Sequence, residues 1–108
     1  MSIRLNIRAK NFTLTPSIRE EVEKGVSSLE RLVASIPGGE AALVEFEVMK
    51  TTRHHLKGDV FVAEANMALP GAVLRAEETH SDLHAAISRV RHLMQEEIRK
   101  YKEVGLHT

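Results

Sequence analysis

The stretch Leu69 to Ile87, LPGAVLRAEETHSDLHAAI, decides the fold, because it passes from the end of one strand through a turn and a second strand into a capped helix without a gap. Ahead of it Phe61, Ala63, Ala65, Met67 and Leu69 alternate with polar or smaller positions, the period of a strand with one buried face. Pro70 and Gly71 reverse the chain, and Leu74 and Ala76 carry the alternation through a fourth strand read as Val73 to Glu77. A helix then starts near Ser81 or Asp82, where Thr79 and Asp82 form an imperfect capping box. Its apolar stripe, Leu83, Ile87, Val90, Met94, Ile98 and Tyr101, stays on one side. That spacing predicts a helix of roughly 20 residues, about 30 Å long.

Outward from this hairpin and helix, Ile3, Leu5 and Ile7 alternate with Arg4, Asn6 and Arg8 in a first strand. Thr15 before Pro16 is a helix start, since the hydroxyl accepts an orphan amide and proline tolerates the first helical position. Ile18, Val22, Val26, Leu29 and Leu32 or Val33 recur at three or four residues and predict one helix from Pro16 to Val33. Gly25 weakens it by roughly 1 kcal/mol relative to alanine unless close packing needs the missing side chain. Ile36 to Gly39 is a loop, Val44, Phe46 and Val48 mark a second strand, and the polar Thr51 to Asp59 segment leads to the third. The order β-α-β-β-β-α predicts an α+β two-layer sandwich, a four-stranded sheet with two helices on one face. A right-handed crossover sets strand one parallel to strand two.

At 108 residues the chain reads as a single domain, 1–108. A domain of this size buries about 65% of its unfolded surface. Zero cysteines remove disulfides, thiolate metal sites and thiol nucleophiles together. Met1 is not followed by the pattern of an export leader, and no apolar run approaches the roughly 20 residues that span a bilayer, so a soluble cytoplasmic protein without a membrane partner is expected. Lys plus Arg number 15 and Asp plus Glu number 15, which gives no warrant for a polyanionic partner from total charge. Distribution says more. Between Arg89 and Lys102 the basic residues Arg89, Arg91, Arg99, Lys100 and Lys102 stand against only Glu96 and Glu97, and Lys50 to Lys57 holds no acid. Glu20, Glu21 and Glu23 gather in the first helix, and Glu77, Glu78 and Asp82 around the start of the second, so a basic face can hide inside a neutral sum.

The Ile3-Leu5-Ile7 strand, the helix LTPSIREEVEKGVSSLERL, the hairpin HHLKGDVFVAEANMALPG, LRAEE, and SDLHAAISRV leading to IRKYK together resemble the ribosome hibernation-promoting factors and ribosome-associated translation inhibitors, across nearly the whole chain. The resemblance implies a fold similar to a double-stranded-RNA-binding domain. It also implies non-catalytic occupancy of the decoding channel of the small ribosomal subunit, with ribosomal RNA as partner and messenger and transfer RNA excluded during dormancy or stress. Positions matching Gly25, Ser28, Leu93 and Glu96 are commonly cationic in that family, and Ser88 stands where aspartate is usual. Lys100 and Lys102 match the family's basic helix end. The sequence stops six residues after Lys102, which implies that the second, dimerising domain of the long forms is lacking and that pairing of ribosomes would need other hibernation proteins.

Ribosomal RNA is gripped through phosphates, 2′-hydroxyls and shape, which needs cations on rigid elements. The candidate contacts are Lys24, Arg31, Arg53, Lys57, Arg89, Arg91, His92, Arg99, Lys100 and Lys102. A plainer reading is that cations near a helix C-terminus only complement its dipole. Arg4, Arg8 and Arg75 are expected to pair with Glu45 and Glu47 on a self-neutralising outer sheet face. His54 and His55 would point to opposite sides of an extended segment, and His80 and His84 share a helical face only if the helix begins before His80, so no metal site is expected. The serines lack a nucleophile-elbow context and Gly38-Gly39 lacks the lysine of a phosphate loop. No catalytic residue, cofactor or small-molecule substrate is therefore expected. Base stacking has little support from Phe12, Phe46, Phe61 and Tyr101. The rival to RNA binding is a protein-interaction module on the same scaffold, nucleated by an exposed Leu93.

Overall fold

The alternation and helical stripes place the elements in the computed structural model, which describes residues 3–52 and 58–106. They run β1 (Arg4–Lys10), α1 (Pro16–Ser27), α2 (Glu30–Ala34), a single 3-10 turn (Gly39–Ala41), β2 (Leu43–Thr52), β3 (Asp59–Leu69), β4 (Ala72–His80) and α3 (Leu83–Leu106). The four strands form one sheet in the order β1-β2-β3-β4. As expected, β1 lies parallel to β2, and the other pairs are antiparallel.

Because strand side chains alternate between faces, register alone defines an inner row Ile7, Phe46, Ala65 and Ala76 running straight across the sheet. Helices cover that face. Ile18, Val22 and Val26 of α1, Leu29 and Val33 around α2, and Ala86, Ile87, Val90, Met94 and Ile98 of α3 are buried against Val44, Phe46, Val48, Ala63, Ala65 and Met67. Among the described residues no charged or polar side chain is buried, so the core rests on apolar burial alone.

Three boundaries differ from the sequence reading. The first helix breaks after Ser27, where the Leu29 amide turns back to the Val26 carbonyl at 2.9 Å and the Ser28 hydroxyl bonds the Gly25 carbonyl at 2.6 Å. Leu29 and Val33 stay buried across this tightened turn, so the apolar period continues through it. Second, β4 runs to His80 and not to Glu77, because its backbone keeps pairing with β3 as far as Phe61↔His80 after the apolar alternation has ended. Third, no capping box forms between Thr79 and Asp82. The Asp82 amide donates to His80 Nδ1 at 2.9 Å, and Asp82 Oδ1 accepts the His84 amide at 2.9 Å, capping α3 from the adjacent position.

At the far end of α3 the Tyr101 hydroxyl donates to the Pro70 carbonyl at 2.8 Å, tying the last turns of the helix to the β3–β4 turn. Phe61, read as a core-facing strand residue, is only half-buried and meets Phe12 edge-on at 5.9 Å.

Candidate nucleic-acid interface

Helices α1 and α3 run in the same direction, since Glu21 meets His84 near their beginnings and Gly25 meets Arg91 further along. A side-chain carbon added at Gly25 would lie 3.4 Å from Arg91 Cδ, so the arginine stem rests on the bare backbone of α1. The packing reason for Gly25 is therefore a lodging for Arg91, and an alanine would still fit. Between the helices lies a groove of about 260 Å³ lined by Glu21, Lys24, Gly25, Ser28, Ile87, Ser88 and Arg91. Three of its lining residues, Gly25, Ser28 and Ser88, are small and neutral. His84 Nδ1 and Glu21 Oε2 sit 2.5 Å apart near its upper end. The hydrogen bond to Glu21, then that carboxylate's charge and a contribution from Asp82, raise the His84 pKa above its ordinary 6.5.

The candidate cations separate onto two flanks of α3. Residues 91, 95, 99 and 102 are spaced by four, four and three, so Arg91, Gln95, Arg99 and Lys102 form one ridge on the side that faces α1 at Arg91. That ridge contains no acid. Lys24 lines the same groove as Arg91; its 3.1 Å pair with Glu20 is exposed at both ends and holds it weakly. Across the helix, Arg89 and Lys100 share the opposite flank with Glu96 and Glu97, and Lys100 Nζ lies 3.8 Å from Glu97 Oε1. His92 is exposed between the flanks, and Arg31 is exposed on α2, which packs against α3. Arg53 and Lys57, with His54 and His55, lie outside the described residues. Leu93, expected to be exposed, is half-buried and packs against the core, which removes it as the centre of a protein contact.

The outer sheet face is balanced in sum but segregated in space. Arg8 Nη2 reaches Glu45 Oε2 at 3.8 Å, as expected. In the row that Arg8 begins on β1, however, Glu47, Glu64 and Glu77 stand directly opposite one another on β2, β3 and β4, so the cations Arg4, Arg8 and Lys10 all stay at the β1 end. Self-neutralisation therefore fails across the central strands, because register and not composition chooses each neighbour.

The Glu21–His84 contact joins residues 63 apart and had no local signal in the sequence. His80 is spent on the Asp82 amide, and α3 begins only at Leu83, so His80 and His84 do not share a helical face. No helix is long and apolar enough to cross a membrane among the described residues.

A parallel strand joined through helices to an antiparallel meander, with a helical ridge of Arg91, Arg99 and Lys102 on its covered side, defines an α+β domain. The chain belongs to the sigma 54 modulation protein / S30EA ribosomal protein family, whose model matches residues 5–104. It is 29% identical over 96 residues to the ribosome hibernation promotion factor of Deinococcus radiodurans, covering 89% of this chain and 47% of that one. The factor of the same name from Staphylococcus aureus is 31% identical over 100 residues, covering 93% and 48%. The chain thus spans about half the length of these curated relatives. Among solved structures, the N-terminal domain of Thermus thermophilus Protein Y is similar at a TM-score of 0.71 and 26% identity, covering 91% of this chain and 98% of that one. A ribosomal subunit interface protein from Coxiella burnetii shares the fold at a TM-score of 0.66 and 18% identity, with 93% and 98% covered.

Proposed function

We propose that this chain is a ribosome-associated hibernation factor that binds ribosomal RNA of the small subunit and obstructs the decoding channel by occupying it. The observation that carries the reading is the acid-free ridge Arg91-Gln95-Arg99-Lys102, with Lys24 across the groove, on a chain whose total charge is zero. Arginines and lysines held on packed helices meet phosphates without a large loss of freedom, and such contacts release counterions. The names of the curated relatives, ribosome hibernation promotion factors, support a ribosomal partner. Inhibition by occupancy needs no bond to be made or broken, so the reading assigns no catalytic residue and no cofactor. Its place is the cytoplasm, where the ribosomes are.

Co-sedimentation with isolated small subunits at low and high salt tests the proposal. Binding at low salt that falls steeply as salt rises is the expected result, with a slope of about 0.7 to 0.9 per phosphate contact. Absence of co-sedimentation at low salt would refute it. Competition against messenger RNA on the same particles tests the decoding channel separately from binding.

A further inference from the structure

We propose that β4 is a self-recognition edge, through which two copies of the chain join antiparallel about a two-fold axis at Ala76 to make one continuous sheet. The pairing does not rest on ribosome binding. Strand β4 closes the sheet on one side, and among the described residues nothing pairs with its outer edge. The turn Pro70-Gly71 leaves Leu69↔Ala72 as the closing pair of a two-residue hairpin. In such a hairpin the backbone groups of Ala72, Leu74, Ala76, Glu78 and His80 are directed to β3, which leaves the N–H and C=O of Val73, Arg75, Glu77 and Thr79 along the free edge. Val73 is 58% exposed there, and Arg75 and Glu77 are exposed.

Only one register uses the whole strand. Centred on Ala76, the middle of Ala72–His80, it pairs Val73 with Thr79 and Arg75 with Glu77 of the other copy, each twice by symmetry. Those four residues are the ones with free backbone groups. Moving the centre to Arg75 or to Glu77 sets identical charges against each other, which destabilises. The row Glu47-Glu64-Glu77 has Arg8 opposite Glu47 at its β1 end, and the central register places the second copy's Arg75 at its other end, beside Glu77. Neither Arg75 nor Glu77 has an ion-pair partner among the described residues. The opposite edge behaves differently. Strand β1 carries Arg4, Arg8 and Lys10 on its outer face, so pairing with itself brings cations together, a usual protection of a sheet edge.

Sedimentation and light scattering from micromolar to millimolar chain test the pairing. A monomer–dimer equilibrium is expected. Arg75→Glu and Glu77→Arg, both at exposed positions, should each raise the dimer dissociation constant about tenfold or more. The double exchange restores opposite charges and should restore the dimer. The native chain has no cysteine, so mixing Val73→Cys with Thr79→Cys chains should give a disulfide-linked heterodimer that neither forms alone. A native chain that stays monomeric to millimolar concentration overturns the proposal. So do single variants that dimerise as tightly as the native chain, a double exchange that fails to restore dimers, or open-ended polymers, which would mean that β4 pairs with β1.

Discussion

The two flanks of α3 carry almost the same residue types and behave differently. One bears Arg91, Arg99 and Lys102 with neutral Gln95 between them, while the other sets Arg89 and Lys100 among Glu96 and Glu97. Both rise from one buried stripe, Ala86, Ile87, Val90, Met94 and Ile98. Arg91, Arg99 and Lys102 on the first flank have no ion pair among the described residues, whereas Lys100 has Glu97 at 3.8 Å. The turn of the helix thus decides which charges are available to a partner, a distinction that net charge conceals.

The largest expected effect tests the shared support of both flanks. Ile98 is fully buried beneath them, and Ile98→Ala should lower stability by about 2–5 kcal/mol in urea unfolding, loosening the two flanks together. Next, Arg91→Glu, Arg99→Glu and Lys102→Glu combined should weaken association with small subunits about tenfold to a hundredfold. The mirror variant, Arg89→Glu with Lys100→Glu, should cost at most about threefold. Equal losses from the two sets, measured by co-sedimentation at one salt concentration, would break the comparison.

Smaller effects sharpen it at the groove. Gly25→Ala should add about 0.5–1 kcal/mol of stability, since helix propensity improves and the new carbon finds only the flexible Arg91 stem at 3.4 Å. Unfolding in urea measures this directly, and a loss of stability would show that Arg91 cannot yield. The smallest effect is the pH dependence of the Glu21–His84 pair. Because folding raises the His84 pKa, its contribution is fully present below the ordinary value of 6.5 and is lost as pH rises through the elevated one. Comparing unfolding midpoints of the native chain and His84→Ala between about pH 5 and 8 should show the native chain alone losing this slight advantage, exposure keeping it small.

The hairpin and helix of Leu69 to Ile87 were readable because each step has a local cause: alternation for the strands, Pro70-Gly71 for the turn, Asp82 for the cap. The break after Ser27 was not readable, since Leu29 and Val33 keep the helical period across it. The candidate cations could be named from the sequence, yet which flank of α3 lies against α1 could not, because it depends on how the two helices pack. Leu93 shows the same limit from the apolar side. One residue outside the main stripe, it looked exposed and is half-buried, because the stripe facing a sheet is wider than a single line of residues.

The sequence by itself determined the order of elements, the buried stripe of each and the stock of cations, because periodicity, turns and caps act over a few residues. Tertiary structure decided who neighbours whom: Arg91 on Gly25, Glu21 on His84, and three glutamates in line across β2, β3 and β4. Those contacts depend on helix direction and strand register, which arise only when distant segments bury their apolar faces together.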